Sequence, residues 1–150
     1  MTVQQRIQAA IRQTIGHEMV ALLEDDSVIE IMRNANGSVC VERLGQDIQT
    51  SSISLSDRAT ESLIKFLASE SKETCSDKKP SLAVKLPYWH ARFQGLLPPV
   101  VSSPSFSIRK HSKNIFQLES YVEKGELSQA QFDCLMSAIG DRENILISGG

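Results

Sequence analysis

The chain has 150 residues, 41% of them hydrophobic and 23% charged, and a formal net charge of −2. That size fits one domain, or one domain with the start of a second, and the composition suits a packed core. The slight acidity argues against a dedicated nucleic-acid binder, which carries a basic excess, although it leaves room for a local phosphate site.

No apolar run reaches the length of a bilayer span, and no basic segment precedes an apolar stretch at the N-terminus. A standard secretion signal or a membrane crossing is therefore not expected. Cys40, Cys75 and Cys134 are odd in number and far apart, and His17, His90 and His111 stand alone. Neither a disulfide framework nor a zinc site has the required spacing, so reduced thiols in a cytosolic protein are expected.

In chain order, Val3, Ile7, Ile11, Ile15, Met19 and Leu22/Leu23 recur every three to four residues and predict a helix over 3–23, weakened at Gly16. The period then drops to two. Val28–Arg33 and Ser38–Arg43 read as strands of a hairpin, with Asn36-Gly37 supplying the turn. A short strand is expected between Gly45 and Leu55. Ser56 is an N-cap, followed by Asp57 in the first turn of a helix that ends near Glu70. A polar loop follows over 71–80, and 81–86 reads as a strand with Leu82, Val84 and Leu86 on one face.

The most informative stretch is 91–110. Phe93, Gly95 and Leu97 alternate with Arg92, Gln94 and Leu96, and after a proline-rich loop Phe106 and Ile108 alternate with Ser105, Ser107 and Arg109. Successive strand side chains leave from opposite faces. If both phenylalanines face a core, Arg92 and Arg109 share the other face, where two cations suit an anion.

Residues 111–127 form a polar linker with a short helix at 118–124 stopped by Gly125. Ser128 and Gln131 make a capping box that opens a helix with Phe132, Leu135, Met136 and Ile139 as its expected core face. Residues 144–150, Asn-Ile-Leu-Ile-Ser-Gly-Gly, then read as a buried strand running into glycines. An apolar strand ending in glycine is how a phosphate-binding loop begins, because its backbone amides must wrap a phosphate closely. The expected fold class is α+β: a mainly antiparallel sheet with flanking helices, followed by a linker, short helices and the first strand of another domain.

The run Ala91-Arg-Phe-Gln-Gly-Leu-Leu-Pro-Pro-Val-Val, the following Phe-Ser-Ile-Arg-Lys, Ile31-Met-Arg-Asn, Val39-Cys-Val-Glu-Arg, and Asn144-Ile-Leu-Ile-Ser-Gly-Gly together resemble the TrbB family. These are the conjugative-transfer members of the type II/type IV secretion traffic ATPases. The resemblance runs from about Leu23 to Gly150 and is firmest over 91–150. It implies a sensor-like N-terminal domain (1–110), a linker (111–127) and the start of a RecA-like ATPase domain (128–150), cut off before the catalytic half.

By the same resemblance Gly149 and Gly150 are the first glycines of a Walker A loop, and Arg92 and Arg109 match arginines that reach the nucleotide phosphates. ATP with Mg2+ is the implied cofactor of the longer protein. A hexameric ring, contact with inner-membrane secretion or conjugation components, and a cytoplasmic position at the bacterial inner membrane are its implied setting. The 150 residues alone are expected to be inactive and to bind no cofactor tightly.

Two departures stand out: the family usually has tryptophan where Cys40 stands and glycine where His90 stands. His90 is thus expected to take a turn conformation that glycine adopts easily, and the pair is not expected to form a catalytic dyad. Two alternatives remain at this level: a ligand-sensing or interaction module without nucleotide chemistry, and a nucleic-acid surface made of Arg92, Arg109, Lys110 and Lys113.

Overall fold

The computed structural model describes residues 2–111 and 117–148. The chain divides into two compact units, Met1–Lys113 and Asn114–Gly150.

In the first unit, helix α1 (Val3–Glu24) starts at a capping box made by Thr2 and Gln5 and is interrupted at Gly16, whose φ of 81° lies outside the helical region. Strands β1 (Val28–Arg33), β2 (Ser38–Arg43) and β3 (Gln49–Ser54) follow, then helix α2 (Asp57–Glu70) and strand β4 (Ser81–Leu86). A single 3-10 turn, Pro87–Trp89, leads into β5 (Ala91–Leu96) and β6 (Ser105–Lys110). The strands form one sheet in the order β3-β2-β1-β6-β5-β4, with every pairing antiparallel. The expected α+β class with an antiparallel sheet is the architecture found.

One face of the sheet is covered by the two helices. Ile11, Met19 and Leu23 of α1 and Leu63, Ile64 and Leu67 of α2 are buried with Ile31, Val39, Val41, Phe93, Phe106 and Ile108. Ser56 caps α2 by accepting from the Ala59 amide at 3.2 Å, satisfying one of the donors that a helix start leaves open. Gly95 allows α2 to sit close: a Cβ there would stand 2.9 Å from Ile64 and 2.8 Å from Phe93. Among the described residues of this unit, no layer covers the opposite sheet face.

Arg33 is a charged residue within the covered layer, 2% exposed. Its Nη2 donates to the Leu55 carbonyl at 2.8 Å and lies 2.5 Å from Asp57 Oδ1, and its Nη1 donates to the Pro104 carbonyl. A buried guanidinium is tolerated only when its donors are met. Here that requirement ties the end of β1 to the start of α2 and to the loop before β6.

The second unit holds α3 (Leu118–Glu123) and α4 (Gln129–Gly140), the latter started by the expected Ser128–Gln131 capping box. Two expectations fail here. The predicted core face of α4 is not buried: Met136 and Ile139 are 45% and 55% exposed, and neither helix has a buried residue. Nor do residues 144–148 form a strand; they lack regular structure, with Leu146 and Ile147 at 93% and 90% exposure. A strand needs a neighbour for its backbone N–H and C=O groups, and the described residues of this unit supply none.

Candidate anion site on the open face of the sheet

Antiparallel pairing of β5 with β6 sets Arg92 opposite Arg109, Phe93 opposite Ile108 and Gly95 opposite Phe106. Phe93 and Phe106 lie on the covered face, their ring centroids 5.5 Å apart at an interplanar angle of 28°. Arg92 and Arg109 therefore both leave from the open face, and both are exposed. Directly opposed residues on one face bring their Cβ atoms to within roughly 4.5–5.5 Å.

The register continues outward on both sides. Lys85 of β4 is opposite Arg92, Glu30 of β1 is opposite Arg109, and Glu42 of β2 is opposite Glu30. Read across five strands, the row is Glu42, Glu30, Arg109, Arg92, Lys85. It has an acidic end and a basic end. Glu30, Lys85, Arg92 and Arg109 line one open hollow of about 450 Å³, whose floor includes Gln94 and Ser107. Ser107 donates its hydroxyl to Glu30 Oε1 at 2.5 Å.

Among the described residues, neither arginine nor Lys85 has an ion pair or hydrogen bond to its side chain. Like charges set directly across a sheet repel. Three adjacent cations, none of them held in an ion pair, form a place for a multiply charged anion, which guanidinium groups bind with paired, charge-assisted hydrogen bonds.

The remaining residues singled out in the sequence fall elsewhere. Lys110 belongs to the covered side: it is 8% exposed and donates to the Asp25 carbonyl at 2.6 Å. Nearby, the Ser27 hydroxyl and amide, helped by Arg43 and Lys110, hold the Asp25 carboxyl below its usual range. Lys110 thus cannot join Arg92 and Arg109 on a nucleic-acid surface, because the strand alternation sends it the other way. Lys113, Gly149 and Gly150 lie outside the described residues.

His90 takes the expected positive φ, 48°, and its carbonyl accepts from the His111 amide at 2.9 Å. Cys40 is half-buried on β2, where Asn34 Nδ2 approaches its sulfur at 3.3 Å. β2 lies three strand positions from β5, roughly 14 Å at the usual spacing, so Cys40 and His90 form no dyad. No group of three or more His, Cys, Asp or Glu side chains suited to a metal ion occurs among the described residues.

Sequence reasoning missed Lys85, Glu30 and Arg33. The signal for Lys85 was available, since a hairpin turning over 87–90 mirrors residue 85 onto 92. Arg33 was also visible as a charge in phase with Ile31. Glu30 was not, because its place depends on β1 pairing with β6.

No protein-family profile matches the chain. Among curated proteins it is 36% identical over 145 residues to a probable conjugal transfer protein TrbB of Sinorhizobium fredii, covering 97% of this chain and 44% of that protein. Over nearly its whole length this chain is a homologue of TrbB conjugal transfer proteins. It is also 36% identical over 110 residues to the type IV secretion system protein VirB11 of Bartonella quintana, covering 72% of this chain and 31% of that protein. Its fold matches a crystal structure of the VirB11 ATPase from the Brucella suis type IV secretion system in complex with sulphate. That match has a TM-score of 0.68 at 24% identity, over 89% of this chain and 44% of the other. The chain thus spans less than half the length of these relatives, and its sheet and flanking helices are those of the VirB11 N-terminal domain. No helix among the described residues is long and apolar enough to cross a membrane.

Proposed function

We propose that this chain is the N-terminal part of a longer TrbB-type ATPase that powers conjugative DNA transfer through a type IV secretion system, and that Arg92 and Arg109 bring positive charge to the phosphates of its nucleotide. The observation that carries the reading is the opposed, exposed and unpaired position of the two arginines on the open sheet face. The similarity to TrbB proteins over 97% of this chain supports it.

In this reading residues 1–110 are the sensor-like domain, 111–127 the linker, and 128–150 the start of the RecA-like domain. Gly149 and Gly150 open the phosphate loop. ATP and Mg2+ act in the longer protein, which assembles as a hexameric ring in the cytoplasm against inner-membrane transfer components. The exposed Ile145, Leu146 and Ile147 fit a strand awaiting sheet neighbours from the rest of that domain.

The chemistry asked of the arginines is electrostatic. Guanidinium groups spread the charge that accumulates on a transferring phosphoryl group, and an arginine acting as a finger contributes roughly 10³–10⁵ in rate. Arg92→Ala and Arg109→Ala in the longer protein should each lower kcat for ATP by about 10²-fold or more, with unchanged circular dichroism. Wild-type turnover in both variants would remove the phosphate role.

A further inference from the structure

We infer that Lys85 and Glu30 turn the arginine pair into a site that reads the length of a polyphosphate, with Lys85 engaging a third phosphate group and Glu30 closing the opposite end. The inference rests on the reading of Arg92 and Arg109 as phosphate contacts and adds two residues to it. Lys85, Arg92 and Arg109 occupy consecutive register positions on β4, β5 and β6 and line one hollow. Two strand spacings separate the first from the last, roughly 10 Å, a span that flexible lysine and arginine stems can shorten towards a chain of phosphates.

A diphosphate occupies two of the three cations. A triphosphate, with its additional charge, reaches the third. On the far side Glu30 stands opposite Arg109 without forming an ion pair with it, and Ser107 holds its carboxylate at 2.5 Å. A fixed carboxylate beside the row repels a phosphate group that extends past Arg109, so the anion is pushed towards Lys85. Glu42, next in register beyond Glu30, extends the same repulsion. A lysine on β4, an edge strand, also has a plain alternative use: it deters edge-to-edge pairing. That role has no effect on anion affinity, which makes the two separable.

The test is a titration of the 150-residue chain with pyrophosphate and with tripolyphosphate at low ionic strength, followed by amide NMR shifts and calorimetry. Tripolyphosphate should bind about tenfold tighter than pyrophosphate, about 1.4 kcal/mol. Lys85→Gln should erase most of that difference while leaving pyrophosphate within about twofold. Glu30→Gln should tighten both by roughly twofold to threefold. If Lys85→Gln weakens both anions equally, or neither, the length-reading inference falls. If Arg92→Gln abolishes binding while Lys85→Gln changes nothing, the arginine reading stands and this inference alone fails. If Arg92→Gln leaves tripolyphosphate affinity unchanged, the phosphate reading itself fails. No saturable shift at Lys85, Arg92 or Arg109 up to tripolyphosphate concentrations on the order of 10 mM overturns both.

Discussion

On one face of the sheet, Ile31, Val41, Phe93, Phe106 and Ile108 are shut in beneath α1 and α2; on the other, the same strands hold Glu30, Glu42, Arg92 and Arg109 without a covering layer. The covered face admits charge only on strict terms. Arg33 enters it with its guanidinium met by two carbonyls and a carboxylate, and Lys110 reaches the Asp25 carbonyl at the margin. The open face does the reverse, placing three cations side by side with none of them in an ion pair. Stability alone would not select that row, since opposed like charges weaken a sheet. Unpaired charge on a well-formed surface is therefore better explained by something that binds there than by the fold.

Substitutions on the two faces should differ in size and in sign. Phe93→Ala removes a stacked ring from the centre of the covered face and should cost about 3–5 kcal/mol, read by urea denaturation of the chain. A cost below about 1 kcal/mol would mean that this face is not the core. Arg92→Gln removes one of the opposed cations and should raise stability by about 0.2–1 kcal/mol at low salt, the gain shrinking as salt screens the pair. Destabilisation would instead give Arg92 a structural role.

The smallest effect should come from Asp57, whose carboxyl is held below its usual range by the Ser103 hydroxyl and the Arg33 guanidinium. The charged form is favoured in the folded state. Its contribution is thus complete above the unfolded value, near pH 4, and is lost as the pH falls through the lower folded value. Asp57→Asn should accordingly lower Tm slightly at pH 6 and hardly at all at pH 2. An equal gap at both would show that the carboxylate charge is not its source.

Much of this could be read along the chain. The first hairpin was bounded at Val28–Arg33 and Ser38–Arg43 because Asn36-Gly37 accepts a turn with positive φ, 87° at Gly37. Ser56 and Ser128 announced α2 and α4, since a hydroxyl at the N-cap satisfies an otherwise open amide whatever lies around it. The opposite facing of Phe93 and Arg92 followed from the two-residue period alone. Period was a poorer guide to burial in the second unit: Phe132, Leu135, Met136 and Ile139 are correctly spaced along α4, yet none is buried.

Local pattern thus settled element type, turns, caps and the face from which each strand residue leaves, because these depend on backbone geometry and on neighbours a few positions away. The order β3-β2-β1-β6-β5-β4 was decided only in three dimensions, through the pairing of β1 with β6 between segments far apart in the chain. That pairing brings Glu30 up to Arg109 and completes the row ending at Lys85. Burial was decided at the same level, because an apolar stripe closes a core only where another element meets it.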